Sequence, residues 1–174
     1  MTPHDGRLLL STMIQGSTVD LFQSWGIAVA PLQPSRNDID HLKSRALMAL
    51  IQFNAPTMQG ALGLLVPKDV FELVKQDTGR PFAGLDWVQE NANQLLGRLK
   101  SKLLSFQVAL SIGLPQLLTE QGLNGLTAKG LLGAYRFRTL RGEVGVTISG
   151  RIDYARLEYS GLNTGVSEGD VIVF

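Results

Sequence analysis

The sequence predicts a single α+β domain, in which two long helices cover one face of a mostly antiparallel sheet of about six strands. Two observations lead there. Apolar residues recur at helical spacing over residues 6–25 and 85–104, and each stretch is followed by runs with strand character. The order helix, strand, strand, strand therefore occurs in residues 6–66 and again in 85–150, the pattern of a diverged duplication, with 151–174 left as a C-terminal extension.

The first helix is carried by Leu8, Leu9, Thr12, Met13, Gly16, Val19, Leu21, Phe22 and Trp25, and Gly26 is its stop. Ile27 to Leu32, closed by Pro31 and Pro34, reads as a short strand at a sheet edge, because proline donates nothing to a ladder. After a polar loop from Gln33 to His41, Ala46 to Phe53 and Gln59 to Val66 form a hairpin around Asn54-Ala55-Pro56-Thr57. Pro67 opens a helix over Val70 to Gln76, which Thr78-Gly79-Arg80-Pro81 ends.

Val88, Ala92, Leu95, Leu96, Leu99 and Leu103 make one continuous stripe on the helix from Leu85 to Leu104. Phe106, Val108, Leu110 and Ile112 then alternate with polar or small residues, predicting a strand that stops at Leu114-Pro115. A glycine-rich loop leads to a hairpin, Leu131 to Thr139 and Glu143 to Ser149, around Leu140-Arg141-Gly142. In the extension, Val171-Ile172-Val173-Phe174 has strand character and could pair within the chain or on a neighbouring subunit.

Composition narrows the function. The 174 residues are 44% hydrophobic and 18% charged, as expected of a globular chain. Lysine plus arginine (16) against aspartate plus glutamate (15) leaves +1, so no strong field points to nucleic acid or an anionic membrane. With no cysteine, a disulfide framework, a thiolate zinc site and a catalytic cysteine are excluded. No apolar run approaches the roughly 18 residues of a membrane span. Asp5 precedes the short apolar stretch Leu8–Leu10, a poor secretory signal, so a cytoplasmic protein is expected.

One helix face stands out. At about 100° per residue, with Glu90 at zero, Asp86 falls near −40°, Asn93 near −60°, Gly97 near −20° and Ser101 near +20°. The apolar stripe lies between roughly 140° and 240°, so the Glu90 stripe points away from the core. Gly97 and Ser101 make it short, at a cost of about 1 kcal/mol for an interior helix glycine, and a second backbone could approach closely. Glu90 could hold a partner's cation, and the Asn93 amide could orient a water. The pair has little nucleophilic power and suits chemistry supplied by another molecule. Glu and Asn three apart on a solvated helix are also common, so the spacing alone leaves an ordinary exposed face open.

Other features have plainer readings. His4 and His41, near Asp5, Asp38 and Asp40, read as solvated loop residues rather than metal ligands. Gly60-Ala61-Leu62-Gly63 lacks the signature of a phosphate loop and reads as strand glycine. Arg136, Arg138 and Arg141 lack interleaved exposed aromatics and read as solvated charge. Trp25 and Trp87 fall at helix ends as packing residues, with Trp87 close enough to Glu90 to border an interface.

Taken with its flanks, Glu90-Asn91-Ala92-Asn93-Gln94-Leu95-Leu96-Gly97-Arg98-Leu99-Lys100, followed by Ser111-Ile112-Gly113-Leu114-Pro115, resembles the CheC/CheX/FliY family of chemotaxis phosphatases, its CheX members most. The resemblance implies hydrolysis of the aspartyl phosphate on a CheY-like response regulator. Glu90 would be the docking carboxylate and Asn93 the catalytic amide that orients the attacking water. Asp86, Gly97, Arg98 and Ser101 would contact the partner. It further implies no cofactor in this chain, the magnesium ion being carried by the response regulator, and a homodimer formed through strand pairing. Gly97-Arg98 departs from the family's common Gly-Asn, which bears on partner choice. Leu8 to Trp25 contains no glutamate or asparagine, so one site per chain is implied. The alternative is a non-catalytic dimeric binding or scaffold module of two-component signalling.

Overall fold

A computed structural model of the chain describes residues 2–32, 39–78, 83–128 and 131–157. Helix α1 (Pro3–Gln23) starts at a capping box, in which the Thr2 hydroxyl accepts from the Asp5 amide and the Asp5 carboxylate accepts from the Thr2 amide. It is followed by β1 (Ala30–Pro31), a 3₁₀ turn (Asp40–Arg45), β2 (Ala46–Ala55), β3 (Met58–Pro67) and α2 (Lys68–Thr78). Then come α3 (Gly84–Leu104), β4 (Ser111–Ile112), β5 (Gln116–Leu117), α4 (Glu120–Ala128), β6 (Leu131–Thr139) and β7 (Gly142–Ile152). A second 3₁₀ turn, Tyr154–Arg156, follows β7.

The strands form one seven-stranded sheet, ordered β1-β6-β7-β3-β2-β4, with β5 paired on β2. Every pairing is antiparallel. Exchanging β1 with β4, β6 with β2 and β7 with β3 maps this order onto itself, which is the symmetry a duplicated helix-strand-strand-strand unit produces. The helices repeat it. In α1 the Ile27 amide donates to Phe22 and Gly26 to Gln23; after α3, Val108 donates to Leu103 and Gln107 to Leu104. Both ends are the same αL closure, with Gly26 at φ 74° and Gln107 at φ 58°.

The large core lies between the sheet and the two long helices. Leu47, Ala49, Ile51 and Phe53 of β2, and Leu62, Leu64 and Val66 of β3, are buried against Ile14, Leu21 and Phe22 of α1 and Val88, Leu95 and Leu99 of α3. Alternate positions face the other side, where Met48, Leu65 and Ala134 meet Ile39, Leu42 and Leu123.

Four expectations need correction. The strand expected over Phe106–Ile112 pairs with β2 only at Ser111 and Ile112. Val108 and Leu110 are buried and Gln107 and Ala109 exposed, so the alternation records which side chains enter the core, not a ladder. Gln107 is still closing α3. The glycine-rich loop expected after Pro115 contains β5 and α4, and the sheet of about six strands expected has seven. The sheet face opposite the long helices, for which no cover was foreseen, is covered by the first 3₁₀ turn and α4. The edge strand expected over Ile27–Leu32 meets β6 only at its end, with Ala30 and Pro31 in register and the Leu32 amide donating to the Arg136 carbonyl. Val171–Phe174 lies outside the described residues. Among those described, no helix is long and apolar enough to cross a membrane.

Candidate functional site

The α3 helix is held at a defined rotation. Trp87, Val88, Asn91, Ala92, Leu95, Leu96, Leu99 and Leu103 are buried. Asp86, Glu90, Asn93 and Ser101 are exposed and Gly97 is partly so, which places the stripe on the outer surface. A Cβ built on Gly97 meets no atom of the described residues within 4 Å, so among them the surface over this glycine is open. The Ser101 hydroxyl folds back onto the Gly97 carbonyl at 3.2 Å, keeping the ridge low.

The two chemical groups differ. The Gln94 amide donates to Glu90 Oε1 at 3.0 Å from one turn on, which restrains the carboxylate and leaves its other oxygen outward. Among the described residues the Asn93 side chain has no hydrogen-bond partner, so its donor and acceptor both face solvent. Arg98 sits about 80° round from Glu90, on the side toward α1, and is half-buried.

Contacts on both flanks fix the ridge. On the α1 side, Trp25 Nε1 donates to Asn91 Oδ1 at 2.7 Å, and Asn91 Nδ2 donates to the Trp87 carbonyl at 2.7 Å. Trp25 and Trp87 meet edge to face with ring centres 5.8 Å apart, and Lys102 Nζ reaches Asp20 Oδ2 at 3.1 Å. On the other side Gln89 Nε2 donates to the Pro115 carbonyl at 3.0 Å. Trp87, expected to border an interface, is instead 3% exposed and wedged between Trp25 and Phe71. Asn91 was missed as a positioning residue. Its signal was its place on the wheel, about 100° from Glu90, where an asparagine must enter the seam between helices.

The chain's own end does not cover this ridge within the described residues. The turn after β7 lies on α1, with the Arg7 guanidinium 5.5 Å from the Tyr154 ring centre. Hollows of about 550 and 430 Å³ open elsewhere, the first among Gln52, Asn54, Gln59 and Ser149, the second among His41, Arg45, Lys68 and Arg141. Neither is lined by an α3 residue. His41 and Arg136 both reach Glu143, at 3.2 and 3.4 Å. Among the described residues no three His, Asp or Glu side chains gather as a metal site. The candidate site is thus a convex ridge rather than a cleft.

Neither a family model nor a curated protein matches the chain. Solved structures do. A CheC-like superfamily protein from Shewanella sp. PV-4 superposes with a TM-score of 0.65 at 15% identity, over 80% of this chain and 96% of its own. The chemotaxis protein CheX from Desulfovibrio desulfuricans gives 0.60 at 16%, over 82% and 99%. CheX in a CheX-CheY-BeF3-Mg+2 complex from Borrelia burgdorferi gives 0.62 at 11%, over 80% and 96%. The fold is that of CheX and the CheC-like proteins. The resemblance carried by Glu90–Lys100 and Ser111–Pro115 is thereby met by a likeness over four-fifths of the chain.

Proposed function

We propose that the chain is a phosphatase of CheY-like receiver domains, acting through the Glu90–Asn93 ridge. The observation that carries this reading is a helix face, uncovered among the described residues, on which a carboxylate and an amide without a hydrogen-bond partner among them stand three residues apart over an open glycine. A convex ridge has no pocket for a small substrate, so the pocket belongs to the partner. Glu90 pairs with a cation beside the receiver's phosphoaspartate, and the Asn93 amide accepts from and orients a water in line with the phosphorus. The water oxygen bonds to phosphorus as the phosphorus–oxygen bond to the aspartyl group breaks, releasing inorganic phosphate and the free carboxylate. Positioning and electrostatics dominate phosphoryl transfer, so two well-placed side chains suffice. The magnesium ion belongs to the receiver.

The test is the phosphate lifetime of a panel of phosphorylated receiver domains with and without the protein. We expect at least one lifetime to shorten and Asn93→Ala to restore it, by about 10²-fold or more. Binding with no change in lifetime would instead support the scaffold reading.

A further inference from the structure

We infer that the segment beside α3 carrying Leu114 and, in β5, Leu117, together with Leu85, is a second contact for the receiver domain and sets which receiver is accepted. This rests on the reading of the ridge above. From Asp86 to Ser101 the ridge is about 22 Å long and roughly 10 Å wide, about a quarter of the roughly 800 Å² that a standard interface buries on each partner. A body seated on Glu90 and Asn93 must therefore rest on a flank as well.

The two flanks differ in chemistry. Toward α1 the seam is filled by the Trp25–Asn91 hydrogen bond and the Lys102–Asp20 ion pair. On the Asn93 side stands the loop tied by Gln89 to the Pro115 carbonyl, one residue before Glu90. Leu114 is 84% exposed, Leu117 46% and Leu85 48%. They are three of the six exposed large apolar side chains among the described residues. Leu117 pairs across Ala49, whose side chain enters the helix-covered core, so Leu117 emerges on the same side of the sheet as α3. Leu85 lies one turn before Gln89. This apolar flank borders the polar ridge through the Gln89–Pro115 hydrogen bond, the arrangement of an anchor beside a positioning site. The occupant is the same receiver that brings its phosphate to Asn93.

The experiment is calorimetric binding of a CheY-like receiver activated by beryllofluoride and magnesium, paired with phosphate-release kinetics and sedimentation of the protein alone. Leu114→Ser and Leu117→Ser are the variants, with Asn93→Ala for comparison. We expect each leucine variant to weaken binding and raise KM about tenfold with kcat kept, while Asn93→Ala lowers kcat and keeps binding. Parental binding by both leucine variants overturns the inference and leaves the ridge reading standing. Failure of the parent to bind any receiver overturns both. A parental dimer that Leu114→Ser dissociates assigns the flank to a second copy and overturns the inference alone.

Discussion

Replacing Gly97 separates the fold from the proposed activity. This glycine lies inside α3, thirteen residues after its start and seven before its end, and a Cβ there meets nothing among the described residues within 4 Å. Gly97→Ala gains the helix propensity that glycine forfeits, about 0.8–1 kcal/mol, and loses no contact. For a domain of this size that raises Tm by about 2–4 °C. Gly97→Gln should be close to or above the parent in Tm for the same reason, yet its side chain rises from the lowest part of the ridge. A receiver pressing on Glu90 and Asn93 would meet it, and binding should weaken about tenfold or more, a cost of about 1.4 kcal/mol. The assays are a thermal melt by circular dichroism and receiver dephosphorylation at limiting protein. A lower Tm for Gly97→Ala would refute the outward placement of the stripe. An unchanged dephosphorylation rate for Gly97→Gln would refute close approach.

Asn91→Leu strips Trp25 Nε1 of its acceptor and should cost about 1–3 kcal/mol in urea unfolding; with Trp25→Phe in the same chain the two losses should fall short of their sum. Gln107→Gly should stabilise by about 1 kcal/mol, because residue 107 closes α3 at φ 58°, where a side chain crowds the backbone. Burial pushes the Tyr135 phenol up. The folded state then holds this proton after the unfolded chain has released it, so stability falls as pH rises above the ordinary tyrosine value. Ultraviolet titration should show Tyr135 ionising late, and Tyr135→Phe should remove that share of the alkaline slope.

Much of the candidate site was legible because a helix exposes its logic locally. Val88, Ala92, Leu95, Leu96, Leu99 and Leu103 repeat at 3.6-residue spacing, so the direction of Glu90 and Asn93 follows from arithmetic on one segment. The hairpins β2–β3 and β6–β7 were legible for the same reason, since their partners are neighbours in sequence and short turns join them. Phe106 to Ile112 misled because alternation reports burial, which an extended chain satisfies without a ladder partner. The α4 helix was hidden in a glycine-rich segment whose inward contact among described side chains is Leu123.

What the sequence by itself determined is the two long helices, the two hairpins and the outward stripe of α3, for these depend on periodicities within about twenty residues. What only the tertiary structure decided is the strand order, the cover on the second sheet face, and the clamp on α3. Trp25 and Asn91 are 66 residues apart, and Gln89 and Pro115 are 26 apart. Such pairs meet only once the sheet has closed the intervening chain. Local spacing states which way a side chain faces along its own helix, whereas the neighbours that hold that helix in place come from packing across the whole chain.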